Sequence, residues 1–323
     1  MSTSAPATNQ HYQPYRSVLL SREELFELCR LSPVRPVLDS AWLWLQILTA
    51  WGVAAALHNW WICLAAAAFV GNRYYSLYII GHDGLHRRLH ERRAWNDLCN
   101  DLLVLGPLGV VTRLNRRNHM THHVTLHCER DPDAYKYQAR DRMTLLQYSW
   151  SLTGLPYVVN AVSNVFRKPP RATSGGERHT VRDVIIIVLW QALLIALLWT
   201  LFGWWGYFLM WWAPIYVFTF AADLTRVFCE HSVPGVDPVA LHQRLVTFEA
   251  NRLELALFAP MHMNHHAAHH LWPAIPYYNL PRATQQMRSH FARLPDGVPP
   301  PCTRRSYVDC LLRHRFAADR ATA

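Results

Sequence analysis

Two stretches of this chain are almost free of charge, and most of its polar residues lie outside them. Between residues 41 and 80 the only charged side chain is Arg73, and between 184 and 222 there is none. Each stretch is long enough for two membrane crossings at roughly 20 residues apiece. Each is interrupted once, at His58-Asn59 and at Gly203-Trp204-Trp205-Gly206. The pattern predicts an all-α membrane protein with two helical hairpins and four spans, at about 41–57, 60–80, 184–202 and 206–222. No helix breaker stands between Trp60 and Gly81, so the second span is expected to continue beyond the membrane.

The remaining segments read as shorter elements. Ser21-Arg-Glu-Glu24 ahead of Leu25, Phe26 and Leu28 has the form of a capping box that opens a short amphipathic helix, with Pro33 and Pro36 beyond it. Residues 1 to 18 read as disordered. Residues 98–111 are apolar but too short to span, and Gly106, Pro107 and Gly109 break them, so they are expected to dip into the interface. Residues 144–166 suit a surface-lying segment, and 168–176 a loop. The chain then divides into an N-terminal segment (1–39), a membrane domain (40–285) whose cap is built from 81–183 and 223–285, and a C-terminal tail (286–323).

Charge orients this arrangement. The 32 Lys and Arg, against 22 acids, give a formal net charge of +10. They concentrate in the N-terminal segment (Arg16, Arg22, Arg30, Arg35), the central segment and the C-terminal segment, while the hairpin tips carry none. By the positive-inside rule both termini and the cap are cytoplasmic, and Trp60, Trp61, Trp199, Trp204 and Trp205 mark the opposite interface. The same bias explains the basic balance without nucleic acid, for which no motif is visible. The N-terminus has no basic-plus-apolar signal pattern. The seven cysteines include no Cys-x-x-Cys pair, which argues against a disulfide framework or a fused rubredoxin-type site.

The chemistry lies in the histidines. Of 19, eight fall into three clusters: His82 and His86; His119, His122 and His123; and His266, His269 and His270. Spacings of three and four residues put imidazoles on one helix face, where neutral ring nitrogens can converge on a metal. His231 sits at the end of the fourth span, as His82 does at the end of the second, and is a ninth candidate. So many donors exceed one coordination shell and point to two ions. The third cluster is ambiguous by spacing, because His262, His265 and His266 satisfy the same His-x-x-His-His pattern. Asp83, Asp131, Asp133 and Glu230 stand beside the clusters and are expected to orient ligand N–H groups.

These motifs resemble the membrane fatty acid desaturase family and its carotenoid ketolase and hydroxylase relatives. The resemblance covers about residues 40 to 285. It is carried by Gly81-His-Asp-Gly-Leu-His86, by Asn118-His-Met-Thr-His-His123 with Arg130-Asp-Pro-Asp133, by Glu230-His231, and by Asn264-His-His-Ala-Ala-His-His-Leu-Trp-Pro273. It implies two irons on a cytoplasmic cap over a four-span bundle, favours His266, His269 and His270 in the third cluster, and marks His231 as a further ligand. The implied activity is O2-dependent desaturation of an acyl lipid. The alternatives are hydroxylation or ketolation of a carotenoid or other lipid and, from another class, metal transport, although a transporter would place its ligands within the spans.

No haem motif or cysteine-rich carrier is visible, so electrons are expected from a separate ferredoxin-like protein, or a cytochrome b5-like protein with its reductase. Arg87, Arg88, Arg92, Arg93, Arg113, Arg116 and Arg117 offer it a basic docking face. Finally, Arg73 precedes His82 by nine residues and Asp223 precedes His231 by eight. That depth match predicts a buried cross-helix ion pair, against the alternatives of a local Asp223–Arg226 pair and of Arg73 bonding span carbonyls or a substrate polar group.

Overall fold

The structure, a computed structural model, describes residues 12, 14–126, 131–133, 136–137, 145–153, 155, 179–231 and 245–312. The helices are α1 (Arg16–Leu19), α2 (Arg22–Leu28), α3 (Arg35–Leu57), α4 (Trp60–Leu85), α5 (Arg93–Asn100), α6 (Thr112–Thr125) and α7 (Leu145–Leu152). Then come α8 (Val181–Phe202), α9 (Phe208–His231, with π-helical turns in its first half), α10 (Arg252–Phe258), α11 (His266–Leu271) and α12 (Leu280–Ser289). Two short strands, β1 (Val246–Phe248) and β2 (Cys302–Arg304), pair in parallel and qualify the all-α expectation.

Both hairpin turns fall where the polar interruptions place them. His58 closes α3 with φ 46°, and the Asn59 side chain accepts from Trp61 N–H at 2.9 Å to cap α4. Gly203, at φ 78°, ends α8. Three helices, α3, α8 and α9, are long and apolar enough to cross a membrane. The expected second span, α4, has 26 residues but carries Asn72, Arg73, Tyr74, Tyr75 and Ser76. It packs against α3, α9 and the 101–105 turn, and its polar groups bond inside the protein. Asn72 donates to Ala256 O at 2.9 Å, and Gly71 O accepts from Thr219 Oγ1 at 2.6 Å. A helix enclosed by protein need not be as apolar as one facing lipid.

Residues 101–108, expected to dip into the interface, are packed inside the protein. They form a π-helical turn followed by a 3-10 turn, with Val104, Leu105, Gly106 and Pro107 buried. Their carbonyls are taken up by the surrounding helices: Trp44 Nε1 donates to Leu103 O at 2.8 Å, Gln191 Nε2 to Pro107 O at 2.9 Å, and Tyr74 OH to Val104 O. Irregular backbone persists among spans only with such internal partners.

The capping box forms as expected, with Ser21 and Glu24 exchanging bonds at 2.8 and 3.2 Å. Order begins earlier than the composition indicates, since α1 is helical and Tyr12 is buried with its hydroxyl donating to Pro299 O at 2.8 Å. Leu19, Leu20 and Leu28 pack on Ala267, Ala268 and Leu271, so the N-terminal segment supports α11 from beneath. The segment read as a C-terminal tail also packs into the protein through β2 and the buried Tyr307. Of 144–166, only α7, Thr153 and residue 155 are described; the rest, and the 168–176 loop, lie outside the described residues.

The predicted Arg73–Asp223 pair is not formed. Arg73 donates to the adjacent Asn72 and lies 5.3 Å over the Phe69 ring. Asp223 instead bonds Arg226 at 3.0 Å and Lys136 at 3.3 Å. Depth matching ignored azimuth: Asp223 and Arg226, three residues apart, share a helix face and meet without help from α4.

The approach of α4 to α9 depends on Gly71, where an added Cβ would fall 2.6 Å from the Pro214 carbonyl oxygen. Gly71→Ala should therefore destabilise the protein by about 1–3 kcal/mol, read as a lowered Tm in detergent. Gly52→Ala, at a helical position with open space around it, should leave Tm unchanged or raise it.

Candidate metal centre

Four helices deliver all nine candidate histidines to one place. His82 on α4, His86 at its C-cap, His119 and His123 on α6, and His269 on α11 form one group; His122, His231 and His270 form a second. Within each group the ligand atoms lie within 4.8 Å of one another. His266 joins the second group, its Nε2 3.0 Å from that of His231. The helical periodicity explains the sharing: α6 sends His119 and His123 one way and His122 the other, and α11 divides His269 from His266 and His270 in the same manner. The groups adjoin, with the His123 and His270 rings 4.4 Å apart between centroids.

The donors face each other closely. His119 Nε2 is 2.7 Å from His86 Nε2 and 3.1 Å from His123 Nε2, and His269 Nε2 is 3.2 Å from His123 Nε2. Burial, reinforced by neighbouring charges and imidazoles, holds His119, His123, His266, His269 and His270 well below the usual histidine range, and pushes His86 down to about 3. Burial thus favours the neutral, lone-pair form of these six rings. His82, His269 and His270 each keep a buried Nδ1 without a hydrogen-bond partner, a costly state for a purely structural cluster. Donors at about 2.1 Å from an ion stand no more than roughly 4.2 Å apart, so a contraction of a few tenths of an ångström would bring each group to coordination distance. The residues present fit two ions.

His262 and His265 do not join either group. His262 is exposed with φ 65°, and lines a surface pocket of about 410 Å³ with Arg35 and Asp39; His265 is half-buried ahead of α11. Their spacing matches the motif, but the sharp turn at Met261 and His262, both at positive φ, carries them off the helix that presents the other three.

Two of the four expected orienting carboxylates reach a histidine. Asp131 lies 2.9 and 3.1 Å from His122 Nδ1 and also accepts from Tyr137 OH. Although burial pushes Asp131 up, these bonds hold it below the usual carboxylate range. Glu230 Oε2 stands 3.2 Å from His266 Nδ1, within ion-pair distance though off the line of a hydrogen bond. The other two act elsewhere, because their carboxylates point away from the rings. Asp83 accepts from Tyr277 N–H at 2.6 Å, tying α4 to the segment after α11, and Asp133 pairs with Lys136 at 3.3 Å.

The local Asp223–Arg226 pair, weighed from the sequence only as an alternative, is formed, and the sequence reading missed the rest of the buried ion network behind the second group. Arg226 donates to Glu230 at 2.7 Å, to Asp223 at 3.0 Å and to Tyr75 OH at 2.8 Å. The spacing Asp223, Arg226, Glu230 on one helix face was a legible signal. Arg116 was read as a docking residue but bonds Leu85 O at 2.8 Å and Gly84 O at 3.0 Å, satisfying the last carbonyls of α4 beside His86.

Comparison with known proteins finds the following likenesses. The family model described as fatty acid desaturase matches residues 55–299. One curated relative, the sn-1 acyl-lipid omega-3 desaturase (ferredoxin) of Synechocystis sp. (strain ATCC 27184 / PCC 6803 / Kazusa), is 24% identical over 258 residues, covering 74% of this chain and 70% of the relative.

The placement of the third cluster generates a test. His266→Ala, His269→Ala and His270→Ala should each lose most bound iron, measured by metal analysis of purified protein, whereas His262→Ala should retain it. Equal iron loss in His262→Ala, with retention in His269→Ala, would reverse the register.

Proposed function

We propose that this chain, which belongs to the fatty acid desaturase family, is a membrane diiron oxidoreductase that uses O2 and two electrons to introduce a double bond into the acyl chain of a lipid. The observation that carries the reading is the convergence of nine imidazoles from four helices into two adjoining groups. His82, His86, His119, His123 and His269 would hold one ion, and His122, His231, His266 and His270 the other. Two ferrous ions supply O2 activation and oxidation of an unactivated C–H bond, which no side chain can perform.

The protein's own part is positioning and exclusion. Asp131 fixes the His122 ring through its Nδ1, and the Glu230 charge stands beside the His266 Nδ1 at 3.2 Å, leaving the opposite nitrogens to face the ions. The apolar packing of α11 on α1 and α2 closes the centre from that side, so that oxidising equivalents meet substrate and not water. Overall the reaction removes two hydrogens from adjacent carbons, and O2 leaves as two waters with two further protons and two electrons.

The reading places α4 as a fourth span within the 40–285 membrane domain, and both termini and the metal centre on the cytoplasmic side. The curated relative's name includes ferredoxin, and we take a separate acidic ferredoxin-like protein, or a cytochrome b5-like one, as the electron donor here. Of the seven arginines expected to receive it, Arg88, Arg113 and Arg116 bond internal groups. Arg92, Arg93 and Arg117 remain exposed on and beside α5 and α6 and are the docking residues of choice.

Protein reconstituted with iron without oxygen should bind about two irons per chain, since nine ligands exceed one octahedral shell. Mass spectrometry of lipids from a host with and without the gene should show acyl chains two hydrogens lighter. One zinc per chain without an oxygen-dependent lipid change would sink the reading, and products heavier by one oxygen would reassign it to hydroxylation.

A further inference from the structure

Residues 302–312 lie beyond the stretch 55–299 that the family model matches, yet they reach the innermost carboxylate of the metal centre. β2 pairs with β1, Glu249 N–H donates to Arg304 O at 2.7 Å, and Arg304 Nη1 donates to Cys229 O at 3.4 Å, one residue before Glu230. The Glu254 carboxylate receives Tyr307 N–H at 2.6 Å and Ser306 Oγ at 3.0 Å, fixing where the last turn starts. These bonds set Tyr307 in the core, fully buried, with its ring stacked on Phe248 at 3.8 Å between centroids and 11° between planes. Its hydroxyl donates to Glu230 Oε1 at 3.4 Å.

That contact completes an otherwise one-sided environment. Glu230 is 0% exposed, and its Oε2 already takes Arg226 Nη1 at 2.7 Å while standing 3.2 Å from His266 Nδ1. A buried carboxylate needs donors on both oxygens. A donor on Oε1 resists rotation of the carboxyl plane, and that plane decides whether Oε2 continues to face the His266 ring. We propose that Tyr307 is a positioning residue: through Glu230 it fixes the orientation of His266, so the C-terminal segment is a working part of the metal centre. This inference rests on the diiron reading above.

Tyr307→Phe keeps the ring stack and the Glu254 bonds and removes only the hydroxyl. The experiment compares wild type, Tyr307→Phe, Glu230→Gln and the double variant, each iron-loaded and purified in detergent, by the rate at which a ferrous chelator strips the iron and by Tm. Tyr307→Phe should keep the wild-type Tm and lose iron about tenfold faster, at the lower end for groups that orient a ligand. The double variant should lose iron no faster than Glu230→Gln alone, because Tyr307 acts through that carboxylate. Release from Tyr307→Phe at the wild-type rate would overturn the inference. So would equal acceleration in both backgrounds, the result expected if the substitution merely loosened the C-terminal segment. Wild-type protein that takes up no iron would overturn the diiron reading, and this inference with it.

Discussion

Imidazoles crowded face to face cannot all satisfy one another. A neutral imidazole has one donor and one acceptor, and among the described residues the convergence from α4, α6, α9 and α11 leaves the Nδ1 atoms of His82, His269 and His270 without a partner. Such a cluster holds together only if the surrounding helices fix it or a bound group accepts its lone pairs. Much of the fold can be derived from this need. α4 and α9 run past the apolar blocks to bring His82 and His231 to one level, while α6 and α11 carry two turns of histidines each between them.

Holding those helix ends requires buried charge, and the charge is arranged to be nearly self-compensating. Arg226 lies between Glu230 and Asp223, and Asp223 also meets Lys136. Removing one member would leave an uncompensated ion in the protein interior, at a cost of about 3–5 kcal/mol. The network therefore makes the end of α9 rigid where His231 must point. On the other side of the centre Arg116 does the corresponding work for α4 by binding the carbonyls of Gly84 and Leu85. Residues that composition alone would assign to a basic surface serve instead to fix helix ends.

The features legible in the sequence were those with a local period. Hairpin turns, the capping box at Ser21, the continuation of α4 to the first cluster and the three histidine clusters all follow from spacings within one element. What was not legible depends on which elements face each other. Depth along a helix could be counted, but azimuth could not, so Arg73 and Asp223 were matched in height and lie with different partners. The 101–108 segment looked interfacial because its Gly and Pro residues break a helix, and the Trp44, Tyr74 and Gln191 donors that let it sit inside the bundle come from far away in the chain. The C-terminal segment gave no periodic signal, and its place beside Glu230 rests on a parallel strand pair of only three residues per strand.

The two histidine groups are not equivalent, and the difference has a chemical consequence. The first group has five imidazoles, several of whose Nε2 atoms contact one another. The second has four; Asp131 is hydrogen-bonded to His122, and Glu230 stands within ion-pair distance of His266. A carboxylate behind an imidazole N–H draws the proton toward itself and makes the opposite nitrogen a stronger donor. With ions bound as proposed above, four donors, one of them strengthened by Asp131, would face five, and the acids would place negative charge on the side with fewer histidines. That asymmetry would compensate for the smaller number of histidines without placing a charged group in direct contact with an ion.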